Sequence, residues 1–492
     1  MSIVDPARSR SPGADRPAWL RAWIEAAATL LAALATLLCA WAISPGPGGA
    51  VLAVVLALSL SRSQLDRDRR GRLEAALVLP LVAFAALGVG WLLRYWPWIG
   101  AAFFVVGMFL SIWLRRFGPM AGRAGSLIAL PFVTLLTMPH VHATSGGLLP
   151  PVLVPMVIAL LALLWVDVFH RLTKRWRWQG PAQSATLPAA REGSPRMAAS
   201  TRMALQMAAS LAVAFVIGFV FFSEHWAWIV LTAFIVNSGN RGRLDVLYKS
   251  GMRVAGAAAG TAIALLLSVH LGWDGRTTGA LILAALFMGV WLRPFAYAWW
   301  ALFVTVALAL LQGFDGGTPA AMLWQRMGEI VLGAVIGVSA AWFVLPVRST
   351  DVLRRRLADA LAALAEAVDP ATAARNATPF DEACDLVAQV VPPFRAVRWL
   401  TRRTHAMQPA DWADTLLACR PTAVVLIGRG ATPGALRQAI GAARKALREP
   451  AKLLPALQHL RKRLHECVLE AEREPLAPID AAMTTRPSTR DA

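Results

Sequence analysis

The chain predicts an all-α polytopic membrane protein: about twelve transmembrane helices in two parallel six-helix repeats, with a C-terminal helical cytoplasmic domain behind them. Composition is the first ground. Of 492 residues, 57% are hydrophobic and 16% charged, and the apolar residues stand in long blocks rather than in the patterning of a water-soluble core. Length is the second: a hydrocarbon core of roughly 30 Å needs about 20 largely uncharged helical residues, and several blocks reach that. Charge is the third, because cations crowd into alternate loops.

Taken in order, the spans fall near residues 24–43, 50–60, 75–93, 98–114, 125–139 and 148–168, then 203–222, 226–236, 254–271, 277–292, 295–311 and 330–346. The first apolar run is too long for a signal-peptide core, and Leu38 before Cys39 is too large for a lipoprotein cleavage site, so this run stays as a span. Domain bounds follow: a disordered cytoplasmic N-terminus (1–18), a first membrane repeat (19–170), a cytoplasmic linker (171–200), a second repeat (201–346), a cytoplasmic helical domain (347–475) and a disordered tail (476–492).

Charge sets the orientation. With the N-terminus inside, the inner loops hold Arg62, Arg67, Arg69, Arg70, Arg72, Arg115, Arg116, Arg123, Lys174, Arg175, Arg241, Arg243, Lys249 and Arg293, whereas the outer loops hold little beyond Arg94 and Arg276. Both termini are then cytoplasmic. Indoles such as Trp19, Trp96, Trp98, Trp176, Trp178 and Trp273 cluster at the headgroup levels. The net charge of +20 lies beside apolar spans, where the lipid bilayer and not nucleic acid is the nearest partner.

A repeat links the halves. Shifting the first by 179 positions superposes Ser44 on Ser223, Val51 on Val230, Leu52 on Leu231, Ser59 on Ser238, Arg62 on Arg241, Leu65 on Leu244 and Asp66 on Asp245. Six spans per half is an even number, so both copies enter the membrane the same way, as in parallel-repeat transporters. The second span of each half is short: eleven helical residues cover about 17 Å. "SPGPGG" (44–49) before the first of them cannot continue a helix. Broken segments at matching positions point to a transport site; tilted or capped helices under a thinned bilayer are the alternative.

From Pro346 on, the composition turns soluble and helical. Apolar residues recur at helical spacing in "DVLRRRLADALAALAEAV" (351–368), and further helices are expected near 380–403, 411–427, 433–447 and 451–472. The cysteines, Cys39, Cys384, Cys419 and Cys467, form neither a metal spacing nor a disulfide framework.

Within the second half, "HWAWIVLTAFIVNSGNRGRLD" and "YKSGMRVAGAAAG" resemble the fusaric acid resistance (FUSC) and aromatic acid exporter proteins of bacterial inner membranes. Arg253, Gly256 and Gly260 match that family's Arg-x-x-Gly-Thr-x-x-Gly signature, with Ala257 in place of Thr. "QRMGEIVLGAVIGVSAAWFVLP" is similar to its closing pattern of Arg326, Glu329, Gly333 and Pro346. The resemblance implies efflux of aromatic or other organic acids from the bacterial inner membrane, driven by the proton gradient, often with a periplasmic membrane-fusion protein. The linker is much shorter than the insert of longer members.

Weighed physically, Gly256-x-x-x-Gly260 and Gly333-x-x-x-Gly337 put side-chain-free positions on one helix face for close packing. Arg253 falls at the cytoplasmic entrance to the ninth span, with Lys249, Arg241 and Arg243 nearby; this cluster either concentrates carboxylates or anchors a loop to anionic lipid. Trp226 and Trp228 open the eighth span and Asn237 and Ser238 close it, offering aromatic surface and uncharged donors to an aromatic acid, with ordinary interfacial Trp as the alternative. Asp245 is expected to pair with a neighbouring arginine. Glu329 near Arg326, Asp167 near Arg171, and Glu25 near Arg21 are candidates for charge pairing or proton coupling, with Glu329 placed near the outer face.

Enzymatic motifs are missing: there is no Walker A, no Gly-x-Ser-x-Gly and no zinc spacing, and no cofactor is implied. His140 and His142 lack further ligands for a metal. The sequence therefore points to a transporter of small organic acids, with an uncoupled organic-anion channel or a non-transport membrane scaffold as alternatives. Self-association into a homo-oligomer stays open.

Overall fold

A computed structural model describes residues 18–63, 69–137, 150, 152–175, 199–270, 275–313, 319–371, 376–401, 408–429 and 434–473. The terminal segments, Asp66, the His140/His142 pair, most of the linker with Trp176 and Trp178, and Trp273 lie outside these residues, as do the side chains of Arg62 and Arg276. Every element among the described residues is a helix, and the chain divides into two compact units, Met1–Val347 and Arg348–Ala492.

The first unit contains, among the described residues, α1 (Ala18–Ile43), α2 (Pro47–Ser63), α3 (Arg69–Tyr95), α4 (Pro97–Trp113) with a 3-10 turn (Leu114–Phe117), α5 (Pro119–Thr137) and α6 (Val154–Arg175). It continues with α7 (Ala199–Phe221), α8 (Trp226–Asn237), α9 (Arg243–His270), α10 (Gly275–Leu292), α11 (Tyr297–Gly313) and α12 (Pro319–Phe343). Seven of these are long and apolar enough to cross a membrane: α1, α3, α4, α6, α7, α9 and α12. The other five are shorter apolar helices. Large apolar side chains remain exposed along them, among them Leu73, Leu77, Leu81 and Phe84 on α3 and Val213, Val216 and Val220 on α7. Such a stripe is stable against lipid and costly in water. The chain is thus an all-α, multi-pass membrane protein.

The boundaries of α2, α9 and α12 differ from the sequence reading; α12 starts at Pro319, eleven residues before the expected 330, where a proline fits the first turn of a helix. Pro47 opens α2, because its ring fits a first turn that needs no N–H, and the helix then runs 17 residues instead of eleven. α9 begins at Arg243, well before the apolar run at Val254, since Asp245 sits in its first turn, where an anion suits the helix dipole.

Neighbour relations recur between the halves. In the first, α1 packs on α2 and α6, α2 on α6, α3 on α5 and α6, and α4 on α5. In the second, α7 packs on α8 and α12, α8 on α12, α9 on α11 and α12, and α10 on α11. Between halves α4 rests on α7 and α1 on α10. One buried cluster, including Phe104, Phe132, Phe215 and Trp226, joins α3–α5 to α7, α8 and α12; another fills α1, α2, α3, α5 and α6.

The second unit comprises α13 (Ser349–Ala367), α14 (Thr378–Val390), α15 (Pro392–Thr401), α16 (Pro409–Arg429), α17 (Gly434–Ala446) and α18 (Pro450–Arg473). Leu353, Leu357, Leu361 and Leu364 are fully buried at helical spacing along α13. Residues 380–403, read from sequence as one helix, break at Pro392–Pro393, which supply no N–H to continue the ladder. Arg420 ties α16 to α14 through Asp381 and Asp385, both at 2.6 Å, and Arg398 meets Asp411 at 2.7 Å and Asp414 at 2.8 Å. These arginines are partly exposed, so each pair contributes modestly.

Candidate functional site

The second half of the membrane unit gathers buried polar side chains where α8, α9 and α12 meet. On α12, Arg326, Glu329, Gly333 and Gly337 recur at three- and four-residue spacing and so share one helix face. α8 lies against that face so closely that a Cβ on Gly333 would fall 2.6 Å from the Ile229 carbonyl oxygen and 2.8 Å from Thr232 Cβ. A Cβ on Gly337 would fall 2.9 Å from Asn237 Nδ2. Gly256 and Gly260 bring α9 equally close to α11, each with a backbone carbonyl oxygen, of Ala298 and Leu302 respectively, 2.5 Å from where a Cβ would stand.

Along this seam Arg326 stacks its guanidinium 3.8 Å from the centre of the Trp228 ring, a cation–π contact shielded from solvent, with only 4% of Arg326 exposed. Arg253 reaches the same region from α9: it is 2% exposed, and its charge lies close enough to repel that of Arg326. Its Nε meets no hydrogen-bond acceptor, and no carboxylate pairs with it among the described residues. Glu329 is 1% exposed, interacts electrostatically with Arg326 and accepts a hydrogen bond from Gln325, yet its Oε1 is unpartnered. Thr232 Oγ1, Asn237 Oδ1 and Ser250 Oγ are likewise buried without partners. Such orphans are costly in a protein interior, and those of this seam fall on three touching helices. From Arg326 to Gly337 the seam runs about 16 Å along the α12 axis.

The Gly337 end of the seam is closed by a different chemistry. Gln206, 1% exposed on α7, donates to the Val344 and Leu345 carbonyls at 2.8 and 3.1 Å, and its own oxygen accepts from Asn240 Nδ2 at 3.3 Å. "NRGRLD" forms the turn between α8 and α9. Gly239 (φ 61°) and Gly242 (φ 125°) take backbone angles that favour glycine, and Asn240 Oδ1 accepts the Gly242 N–H at 2.6 Å. The Asp245 carboxylate takes the Lys249 ammonium at 2.8 Å and the Arg241 backbone N–H at 3.1 Å. Lys249 also donates to the Ser238 and Gly239 carbonyls, satisfying the end of α8.

The sequence-selected residues therefore separate. Trp228, Arg253, Arg326 and Glu329 come together, and Asn237 lies further down the seam, donating to Ser210 Oγ and the Ala233 carbonyl. Trp226 turns to α7 instead, where Phe215 and Phe219 pack on it at 5.4 and 5.2 Å. Ser238 and Arg241 stay in the turn between α8 and α9. Arg253 is not at the entrance to α9: ten residues of helix, about 15 Å, separate it from Arg243 because the helix starts early. Glu329 lies ten residues from the start of α12 and five from Trp324, where its apolar span begins. The main carboxylate partner of Lys249 is Asp245, whereas sequence reading sought an arginine for that aspartate. Asp167 pairs with Arg171 at 2.6 Å, and Glu25 lies on the exposed face of α1, one turn from Arg21. Thr232, Ser250, Gln206 and Asn240 were not singled out as site residues; an isolated polar residue in an apolar run was the only signal of Thr232 and Gln206, whereas Asn240 and Ser250 lie in polar stretches.

Residues 208–340, from α7 nearly to the end of α12, match the family model described as fusaric acid resistance protein-like. No curated protein matches the chain. The family match covers the whole α8–α9–α12 seam and bears out the resemblance read from "HWAWIVLTAFIVNSGNRGRLD", over residues 208–340.

Proposed function

We propose that the protein exports aromatic or other organic acids across the bacterial inner membrane, with the α8–α9–α12 seam as the place where the acid binds. The observation that carries this reading is Arg253, a cation buried to 2% exposure beside a second buried arginine. Two like charges held out of water destabilise each other and the fold, and an anion entering between them relieves both costs. An aromatic acid offers a carboxylate to the arginines and a ring to Trp228. Twelve crossing helices in two parallel repeats complete the reading, supported by the recurring neighbour pattern of α1–α6 and α7–α12. The proton gradient energises the cycle; its electrical part alone favours expulsion of a singly charged anion by about 2.3 kcal/mol per 100 mV. Both termini face the cytoplasm, and a periplasmic membrane-fusion protein receives the product.

Export of 4-hydroxybenzoate from cells producing the full chain tests this. Arg253→Gln should lower the export rate at least about tenfold at equal membrane abundance, because one charge of the buried pair is lost. Arg241→Gln, in the inner turn, should stay within about twofold of wild type. Absence of efflux and of resistance for every aromatic acid tried on the wild type would sink the reading.

A further inference from the structure

In the second unit, α16 and α18 leave a polar groove between them. Asp414, Ala418 and Thr422 follow one another at four-residue steps on α16, and Leu454, Gln458, Arg461 and His465 at three- and four-residue steps on α18, so each set shares one helix face. They line two joined hollows of about 610 and 310 Å³, with Gln458 and Arg461 common to both. From Asp411 to Thr422 the groove follows α16 for about 16 Å. Ala418 is exposed and carries only a methyl group, which gives the groove its depth between Asp414 and Thr422.

The two ends differ in charge. Arg461, Lys462 and His465 fall within about one turn of α18 and make one end basic. Arg461 leans towards α16, where its charge acts on the Cys419 thiol. Among the described residues no side-chain hydrogen bond or ion pair holds Thr422, Gln458, Arg461 or His465, and Lys462 stands 3.9 Å from Glu466. Arg395, Arg398 and Arg420, by contrast, each grip aspartates at 2.6–2.8 Å. Those pairs offset the charge of Asp411 and Asp414 at the other end of the groove. That end therefore repels an anion little, while its carboxylate oxygens still accept hydrogen bonds from hydroxyl groups.

We propose that this groove binds a phosphate ester bearing hydroxyl groups, with the phosphate against Arg461, Lys462 and His465 and the hydroxyls directed towards Gln458, Asp414 and Asp411. Cations gathered in a concavity raise the local potential for an anion, and the Thr422 hydroxyl and Gln458 amide add uncharged donors for the phosphate oxygens. An aromatic acid fits less well, since no aromatic side chain lines the groove among the described residues. A soluble sugar phosphate and the headgroup of phosphatidylglycerol offer the same chemistry. The site stands apart from the α8–α9–α12 seam and does not depend on the exporter reading.

Isothermal titration calorimetry on the full chain in a neutral detergent tests this, with glucose 6-phosphate, dihexanoylphosphatidylglycerol as the headgroup probe, and glucose as the uncharged control. Wild type should bind at least one of the two phosphates with a Kd below about 1 mM and should not bind glucose. Arg461→Gln should weaken that binding at least about fivefold and Lys462→Gln at least about threefold, because each removes a charge-assisted contact. Arg463→Gln deletes the same charge outside the groove, where Arg463 meets Glu466 at 3.0 Å, and should stay within about twofold of wild type. All three positions are exposed, so the substitutions leave the fold intact. Arg461-dependent binding of the sugar phosphate alone identifies a soluble metabolite as the ligand, and of the lipid alone a headgroup. Binding of neither phosphate by wild type, or equal affinities of Arg461→Gln and Arg463→Gln, as diffuse surface charge would give, overturns the proposal.

Discussion

Arg253 and Arg326 stand 73 positions apart, and nothing local in either stretch announces that they meet. Both residues were legible singly, Arg253 in a basic cluster and in the family signature, Arg326 in the closing pattern beside Glu329. Their juxtaposition depends on how α9 and α12 pack, which periodicity does not encode. Cysteines show the opposite case, where burial alone decides the chemistry. Cys384 on α14 and Cys419 on α16 are fully buried in the second unit, and burial pushes both thiols up to about 12 from an ordinary value of 9. At pH 8 roughly one thiol in ten thousand is then ionised, too few for ready alkylation. Treatment of native protein with a maleimide should leave both unmodified over hours, with complete modification after unfolding in guanidinium, as read by mass spectrometry. The folded unit binds these protons more tightly than the unfolded chain. Its stability contribution is therefore present below pH 9 and is lost as pH rises towards 12. Rapid native labelling at pH 8 would contradict the burial.

Among the elements, helices with uniform apolar sequence were read to within a few residues, α8 within one, because the hydrophobic run and the helix coincide. α9 was not. Its first ten residues, "RLDVLYKSGM", are too polar for a hydropathy window yet helical, stabilised by Asp245 in the first turn and the Asp245–Lys249 pair. The glycines of α9 provide a test within one element. Gly251 has nothing within 4 Å of the place a Cβ would occupy, whereas Gly256 has the Ala298 carbonyl oxygen at 2.5 Å and Ala301 Cβ at 2.7 Å. Gly251→Ala should be neutral or slightly stabilising, since alanine loses less backbone entropy in a helix. Gly256→Ala forces α9 and α11 apart and should cost about 1–3 kcal/mol, read as a fall of several degrees in the melting temperature of the detergent-solubilised protein. Equal melting temperatures for the two variants would show that the α9–α11 contact tolerates an added methyl group and is not close-packed.

For the whole molecule, α8 sets the question of layout, since its twelve residues reach only about 18 Å, little more than half the hydrocarbon thickness. A bare helix of that length would leave its ends in lipid. α8 is not bare: nine of its twelve residues are buried, against α5, α7, α9 and α12, so its ends are satisfied by protein and its span need not match the bilayer. Lys249 closes the carbonyl end and the Asn240 turn follows at once, which lets α9 return through its neighbours. On the proposed twelve-crossing layout, Glu224 before α8 lies outside and Ser238 after it lies inside, although only fourteen positions separate them. Both are exposed. Single cysteines placed there, Glu224→Cys and Ser238→Cys, should behave oppositely towards a membrane-impermeant maleimide applied to spheroplasts: the first is modified at once, the second only after the membrane is permeabilised, against the background of the wild-type protein. Modification of both from the same side would make α8 a re-entrant segment. The second half would then contain an odd number of crossings, and the parallel relation between the halves would fail along with the cytoplasmic placement of one terminus.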